Sequence, residues 1–230
     1  MKKHIPNALT CANLLSGCIG VVFAFKGDLT IAAYAVLVSG IFDFFDGFVA
    51  RLLSVKSAIG KELDSLADMV SFGFLPGVVM FQMLSQSDYA SPYLPYLGFL
   101  ITMFSALRLA KFNIDERQTE DFIGLNTPMN TLFIVSLPFI QHDYPGIINS
   151  TLLLICITVL MSFLLTSEIR IFSLKFGSVD WVQNKIKYVF LVLSAVLIAC
   201  LKFAAIPFVL ILYISMSVLH FKRADKAALN

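Results

Sequence analysis

The sequence is poor in charge. Asp, Glu, Lys and Arg make up 14% of its 230 residues, where a soluble globular domain carries about 25%. That shortage excludes the one or two soluble domains that the length would otherwise allow. The net charge of +2 is too small to suggest a nucleic-acid partner. Cysteine is scarce too. Cys11, Cys18, Cys156 and Cys200 each lie in an apolar run and form no C-x-x-C pair, which leaves packing thiols rather than a zinc site or a disulfide framework. Only Trp181 represents tryptophan, and it reads as an interfacial anchor. No fixed-period repeat and no low-complexity tract is visible. The apolar run behind Lys2 and Lys3 lacks a small-residue cleavage site and is interrupted by Asn13 and Ser16. It reads as a retained first span rather than a signal peptide.

What the chain has instead is apolar length. Hydrophobic residues reach 58% and the mean hydropathy is +0.84, which predicts an all-α polytopic membrane bundle. Spans need about 20 mostly apolar residues. The candidates run over 8–25, 29–53, 62–84, 96–110, 128–140 and 147–165. The mixed segment 166–187 suits the membrane interface. The last apolar stretch, Tyr188 to Phe221, would be about 51 Å long as one helix, too long for a hydrocarbon core of about 30 Å, so it is divided near Lys202. Eight spans result, with a core over about 1–165 and a C-terminal hairpin and tail over 188–230. With the N-terminus inside, all the Lys and Arg residues fall on the inner side except Lys26 and Lys202. This is the bias expected of cytoplasmic segments.

Four acids stand out against this background. Asp43, Asp46, Asp64 and Asp68 lie at the inner ends of the second and third spans. An acid at membrane depth costs roughly 2.5–3.5 kcal/mol even on lenient scales and is a functional candidate by default. Asp43 and Asp46 are three apart and Asp64 and Asp68 four apart, so each pair shares a helix face. A short link makes the two helices antiparallel neighbours, which brings both faces to one depth. Carboxylates so gathered need cations, and oxygen donors suit Mg²⁺, Mn²⁺ or Ca²⁺. Four of them suffice for two metals, as in-line phosphoryl displacement uses. Gly47 serves close backbone approach or ordinary helix contact. Arg51 meets a phosphate or an aspartate, or anchors the helix at the interface.

The stretch resembles the signature of the CDP-alcohol phosphotransferase family, D-x2-D-G-x2-A-R-x8-G-x3-D-x3-D. Here it is carried by Asp43, Asp46, Gly47, Ala50, Arg51, Gly60, Asp64 and Asp68. The resemblance implies a membrane enzyme with a six-helix core. Such an enzyme moves a phosphatidyl-type group from a CDP-linked lipid to an alcohol and releases CMP. It also implies two divalent cations, Mg²⁺ or Mn²⁺, held by Asp43, Asp46, Asp64 and Asp68, with Asp68 the general base, and a homodimer. Asn7, Thr10, Asp43, Gly47, Arg51 and Gly60 would bind the CDP-lipid. Asn7 and Thr10 also suit a helix cap.

Three further stretches resemble the branch of the family that joins CDP-diacylglycerol to L-serine: Asp64 to Pro76, Arg108 to Asn113, and Phe122 to Pro128. That branch more often has Arg at the position of Lys111 and Pro at that of Asn126. Arg108, Lys111 and Asn113 would then bind serine or a phosphate. Arg108 and Lys111 equally follow the inner-side charge bias, Asn113 fits a loop, and Thr127 with Pro128 suits a helix start. Two alternatives stand beside this reading. One is the same chemistry on glycerol 3-phosphate or inositol phosphate. The other is a cation transporter that uses buried carboxylates, although the chain lacks the repeats and midplane site common in transporters.

Overall fold

The computed structural model describes residues 4–55, 57–89, 91–115, 121–174 and 180–228. In hydrocarbon every backbone N–H and C=O must find its partner within the segment, so the apolar runs form helices. Helix α1 spans His4–Phe25 and turns at Gly27, whose φ of +83° suits a residue without Cβ. Asp28 then caps α2, Leu29–Leu52, its Oδ1 accepting from the Ile31 N–H at 3.0 Å. Ser57 caps α3, Ala58–Asp68, in the same way through the Gly60 N–H at 2.9 Å. A π-helical turn, Met69–Phe74, leads from α3 into α4, Leu75–Ser85.

A 3₁₀ turn at Leu94–Gly98 opens α5, Phe99–Ile114. After strand β1, Phe122–Ile123, come α6, Thr127–Asp143, the single turn α7, Pro145–Ile148, and α8, Thr151–Thr166. Strand β2, Arg170–Ile171, pairs antiparallel with β1. The chain ends in α9, Trp181–Leu201, and α10, Ala205–Ala228, which pack on each other. Lys202, with φ of +51°, makes the break between them, at the position where length alone predicts one.

All eight expected spans form helices. Five stretches among the described residues are long and apolar enough to cross a membrane: His4–Phe25, Leu29–Leu52, Ala58–Ser85, Leu94–Ile114 and Asn184–Lys222, the last divided at Lys202. Helix α6 has 17 residues and α8 has 16, short of the roughly 20 needed to cross upright. The segment assigned to the interface supplies β2, and Trp181 begins α9.

The bundle encloses polar side chains within an apolar core that includes Leu75, Val78, Met80 and Ile134. Asn13, Ser39, Ser71, Ser105, Asn130 and Thr131 are fully enclosed, while Leu15, Phe44 and Leu152 are 62%, 62% and 72% exposed. Helix α1 sits centrally and packs on α2, α3, the π turn and α4. The π turn is explained by its neighbours. Pro76 brings no N–H to the ladder, and the Phe72 carbonyl four residues earlier has the Thr131 hydroxyl of α6 at 2.7 Å. The Gly73 carbonyl accepts from Thr102 of α5 at 3.1 Å. Two hydroxyls from neighbouring helices thus hold a non-α segment in a setting where a free carbonyl is costly.

With hydrocarbon on the outside, close contact of small residues holds the helices together. At Gly98 an added Cβ would stand 2.6 Å from the Phe81 nitrogen and 2.9 Å from the Gly77 oxygen, both backbone atoms. Overpacking of this kind costs about 1–3 kcal/mol. Gly98→Ala should therefore lower the melting temperature of the detergent-solubilised protein by several degrees. Gly146→Ala, where nothing lies within 4 Å, should leave it unchanged. Equal melting temperatures for both would contradict this packing.

Candidate active site

Asp43 and Asp46 lie one turn apart on α2, and Asp64 and Asp68 one turn apart at the end of α3. The two helices bring them together. Carboxylate oxygens of Asp43, Asp64 and Asp68 all lie within 4.8 Å of one another. Asp46 is buried, and its Oδ2 accepts from the Thr10 hydroxyl at 2.6 Å. Among the described residues no Lys or Arg forms an ion pair with any of the four. The donor set consists of oxygen alone, half-buried and without a cationic side chain against it. That is the chemistry of a hard divalent cation, and it fits Mg²⁺ or Mn²⁺ rather than zinc. Asp43, Asp64 and Asp68 would hold such an ion, whereas Asp46, also expected as a ligand, lies outside that group of three.

Helix α1 fixes this arrangement through Asn13, a residue that the sequence pattern did not single out for the site. The Asn13 carbonyl accepts from Ser39 of α2 and from Ser71 of the π turn, each at 3.1 Å. Its side-chain Nδ2 donates to Asp68 Oδ1 at 3.4 Å. One residue thus ties α1 to both acid-bearing segments. The available signal was its position three residues after Thr10, a second polar side chain on the same face of an apolar helix.

Two cavities reach the acids, and a third lies at Arg108. The largest, about 540 Å³, opens between α1, α2 and α3 and is lined by Asn7, Thr10, Asp46, Gly47, Gly60, Lys61 and Asp64. Four of the residues expected to bind the CDP-lipid, Asn7, Thr10, Gly47 and Gly60, are therefore neighbours here. Gly60 is needed for close approach, since a Cβ there would stand 3.2 Å from Asn7 Oδ1. Gly47 instead borders open space, with only Arg51 Nη1 4.0 Å from its notional Cβ, so it keeps the cavity clear rather than packing helices. Arg51 is exposed and stands outside the lining, whereas Lys61, not singled out by sequence, is within it.

A second cavity, about 360 Å³, is mostly apolar and lies between α2, α6 and the π turn. It reaches Asp43 past Gly40, Phe44, Phe72 and Leu132. The third, about 310 Å³, is lined by Arg108, Lys111, Asp115, Ile123, Ser167 and Glu168. Arg108 is buried, donates to the Thr127 hydroxyl at 3.3 Å and lies over the Phe112 ring at 5.0 Å. Its Nε has no hydrogen-bond partner among the described residues.

Asn113, like Arg51 and Asp68, lines none of these cavities. Its amide donates to Ser65 at 2.9 Å and its carbonyl accepts from Lys61 Nζ at 3.1 Å, so it fastens α5 to α3. The start of α6 also differs from expectation. Asn126 is the cap, accepting from the Met129 N–H at 2.8 Å, which leaves the Thr127 hydroxyl for Arg108.

Comparison with known proteins agrees with this geometry. The family model for CDP-alcohol phosphatidyltransferase matches residues 3–161. A CDP-diacylglycerol–serine O-phosphatidyltransferase of Bacillus subtilis is 30% identical over 172 residues, covering 73% of this chain and 89% of the relative. The enzyme of the same name from Helicobacter pylori is also 30% identical over 172 residues, 72% of this chain and 70% of the relative. An archaetidylserine synthase of Methanothermobacter thermautotrophicus is 29% identical over 159 residues, 68% and 66% of the two chains. With the family model covering well over half of its length and the acid constellation assembled as described, the chain belongs to the CDP-alcohol phosphatidyltransferase family.

Proposed function

We propose that this protein transfers the phosphatidyl group of CDP-diacylglycerol to the hydroxyl of L-serine, giving phosphatidylserine and CMP. The observation that carries the proposal is the oxygen-only cluster of Asp43, Asp64 and Asp68 within 4.8 Å, with a polar cavity on one side of it and an apolar cavity on the other. The polar cavity beside Asp46 and Asp64 suits the cytidine diphosphate. Its two glycines leave room for a nucleotide, and Lys61 offers a cation to a phosphate. The apolar cavity beside Asp43 suits the diacylglycerol end. The charged cavity at Arg108 suits a small polar acceptor, and the names of the relatives point to serine.

In the reaction the serine hydroxyl oxygen forms a bond to the lipid-side phosphorus. The bond from that phosphorus to the CMP oxygen breaks, and the hydroxyl proton passes to Asp68. Two divalent cations, when bound, would neutralise the pyrophosphate and the charge that develops on the leaving CMP. Asn13 orients Asp68 by donating to its Oδ1, and Thr10 does the same for Asp46. Arg108 holds the acceptor's carboxylate, and positioning by such groups carries much of the rate. The positive-inside bias puts the acids on the cytoplasmic side, where CDP and serine are dissolved. Association of two copies, which the family implies, belongs to the same proposal.

Purified protein in mixed micelles with CDP-diacylglycerol and Mn²⁺ or Mg²⁺ should release CMP with L-serine. It should stay at the water background with glycerol 3-phosphate or inositol phosphate, and a chelator should abolish turnover. CMP release with glycerol 3-phosphate and none with serine would overturn the acceptor. Asp68→Asn should lower kcat by about 10²–10⁴-fold, the usual worth of a positioned general base. Undiminished turnover in that variant would remove Asp68 from this role.

A further inference from the structure

Asn13 is fully enclosed on α1, and its side-chain Oδ1 has no hydrogen-bond partner among the described residues. An amide oxygen buried in this way is destabilising, and such a group calls for an ion, a water or a catalytic role to account for it. The same amide turns its Nδ2 to Asp68 Oδ1, 3.4 Å away, and Asp68 belongs to the cluster with Asp43 and Asp64. We infer that Asn13 Oδ1 is a neutral fourth ligand of the divalent cation that these three aspartates hold. The inference rests on the cation-dependent reading above and deepens it. Oδ1 and Nδ2 are bonded to one carbon, so the oxygen can meet an ion on Asp68 while the N–H still donates to that carboxylate. At 3.4 Å the donation is long for an N–H···O bond, which leaves the amide room to settle on the ion.

Coordination chemistry gives the amide a reason to be there. Hard divalent cations take about six oxygen ligands, and Asn carbonyls serve beside carboxylates. The cluster supplies three acids, while Asp46 lies outside it and its Oδ2 accepts from Thr10 at 2.6 Å. Another acid at the same point would add repulsion in the metal-free protein, whereas an amide oxygen adds a donor without charge. The two sides of the cluster also differ in access. Asp64 lines the open cavity of about 540 Å³, from which a cation enters, and Asn13 closes the shell from the buried side. Its backbone is fixed for that purpose. The Asn13 carbonyl accepts from Ser39 of α2 and Ser71 of the π turn, each at 3.1 Å. One turn further along α1, a Cβ added at Gly17 would collide with Ser71 Oγ. Gly17 thus lets α1 lie close enough to the π turn for Asn13 to reach Asp68.

The test titrates Mn²⁺ into detergent-solubilised wild type, Asn13→Leu and Asn13→Asp, read by electron paramagnetic resonance. Asn13→Leu should raise the Kd for Mn²⁺ about tenfold. Removing a residue that only orients a ligand costs about as much, so Asn13→Asp separates the two roles. It keeps the oxygen and removes the N–H. A ligand predicts a Kd no weaker than that of wild type, and an orienting donor predicts the loss seen in Asn13→Leu. Pulsed measurement should also find the amide nitrogen coupled to bound Mn²⁺ in wild type and not in Asn13→Asp, which decides the matter even where Asn13→Leu fails to fold. An unchanged Kd in Asn13→Leu would overturn the assignment while the cation site stood. So would a Kd in Asn13→Asp as weak as in Asn13→Leu, or a wild type without the nitrogen coupling. A wild type that binds no Mn²⁺ would overturn the cation site and this ligand with it.

Discussion

Like charges in a medium of low dielectric repel strongly and are poorly solvated, and this chain gathers four carboxylates at the ends of two membrane helices. Much of the fold follows from that constraint. The aspartates of α3 must meet those of α2, and both helices pack on α1, which brings their acid-bearing ends together. The acids also need donors, so α1 turns Thr10 and Asn13 inward at a depth where lipid-facing helices carry leucine. Three of the carboxylates still face one another with no cationic side chain paired to them among the described residues. Protonation or a cation from outside the chain relieves that repulsion, and oxygen donors in this number suit a hard divalent cation.

The scaffold meets the constraint by enclosing hydroxyl and amide side chains within its apolar core. Ser39, Ser71, Thr102 and Thr131 each donate to a backbone carbonyl of a neighbouring segment. In hydrocarbon such contacts and close glycine packing replace the hydrophobic effect as the source of helix association. The π turn directly after Asp68 combines both themes. It is a local departure from α geometry, of a kind frequent at functional sites, and hydroxyls of α5 and α6 make it tolerable.

Helix positions were legible in the sequence because hydropathy and length decide them. The break at Lys202 followed from arithmetic, since one helix from Tyr188 to Phe221 exceeds the membrane. The convergence of the acids followed from three- and four-residue spacing and a short link. Less legible was whatever depends on which helix packs against which. Asn13 looked like an interruption of an apolar run until α3 was beside it. Asn113 shared the polar rim with Arg108 and Lys111, but its amide turns toward Ser65. Asn126, rather than Thr127, caps α6, and the freed hydroxyl meets Arg108. Glu168 lies 60 residues from Arg108 in the chain, and the packing of α8 on α5 brings the two to one cavity.

The central claim is that the four aspartates form a divalent-cation site. Manganese binding to the detergent-solubilised protein, read by electron paramagnetic resonance without any substrate, tests it most directly. Saturable binding of up to two Mn²⁺ per chain is expected in the wild type, weakened or lost in Asp64→Asn while the melting temperature of the metal-free protein is retained. Wild-type binding no greater than that of a variant with all four aspartates changed to asparagine would contradict it.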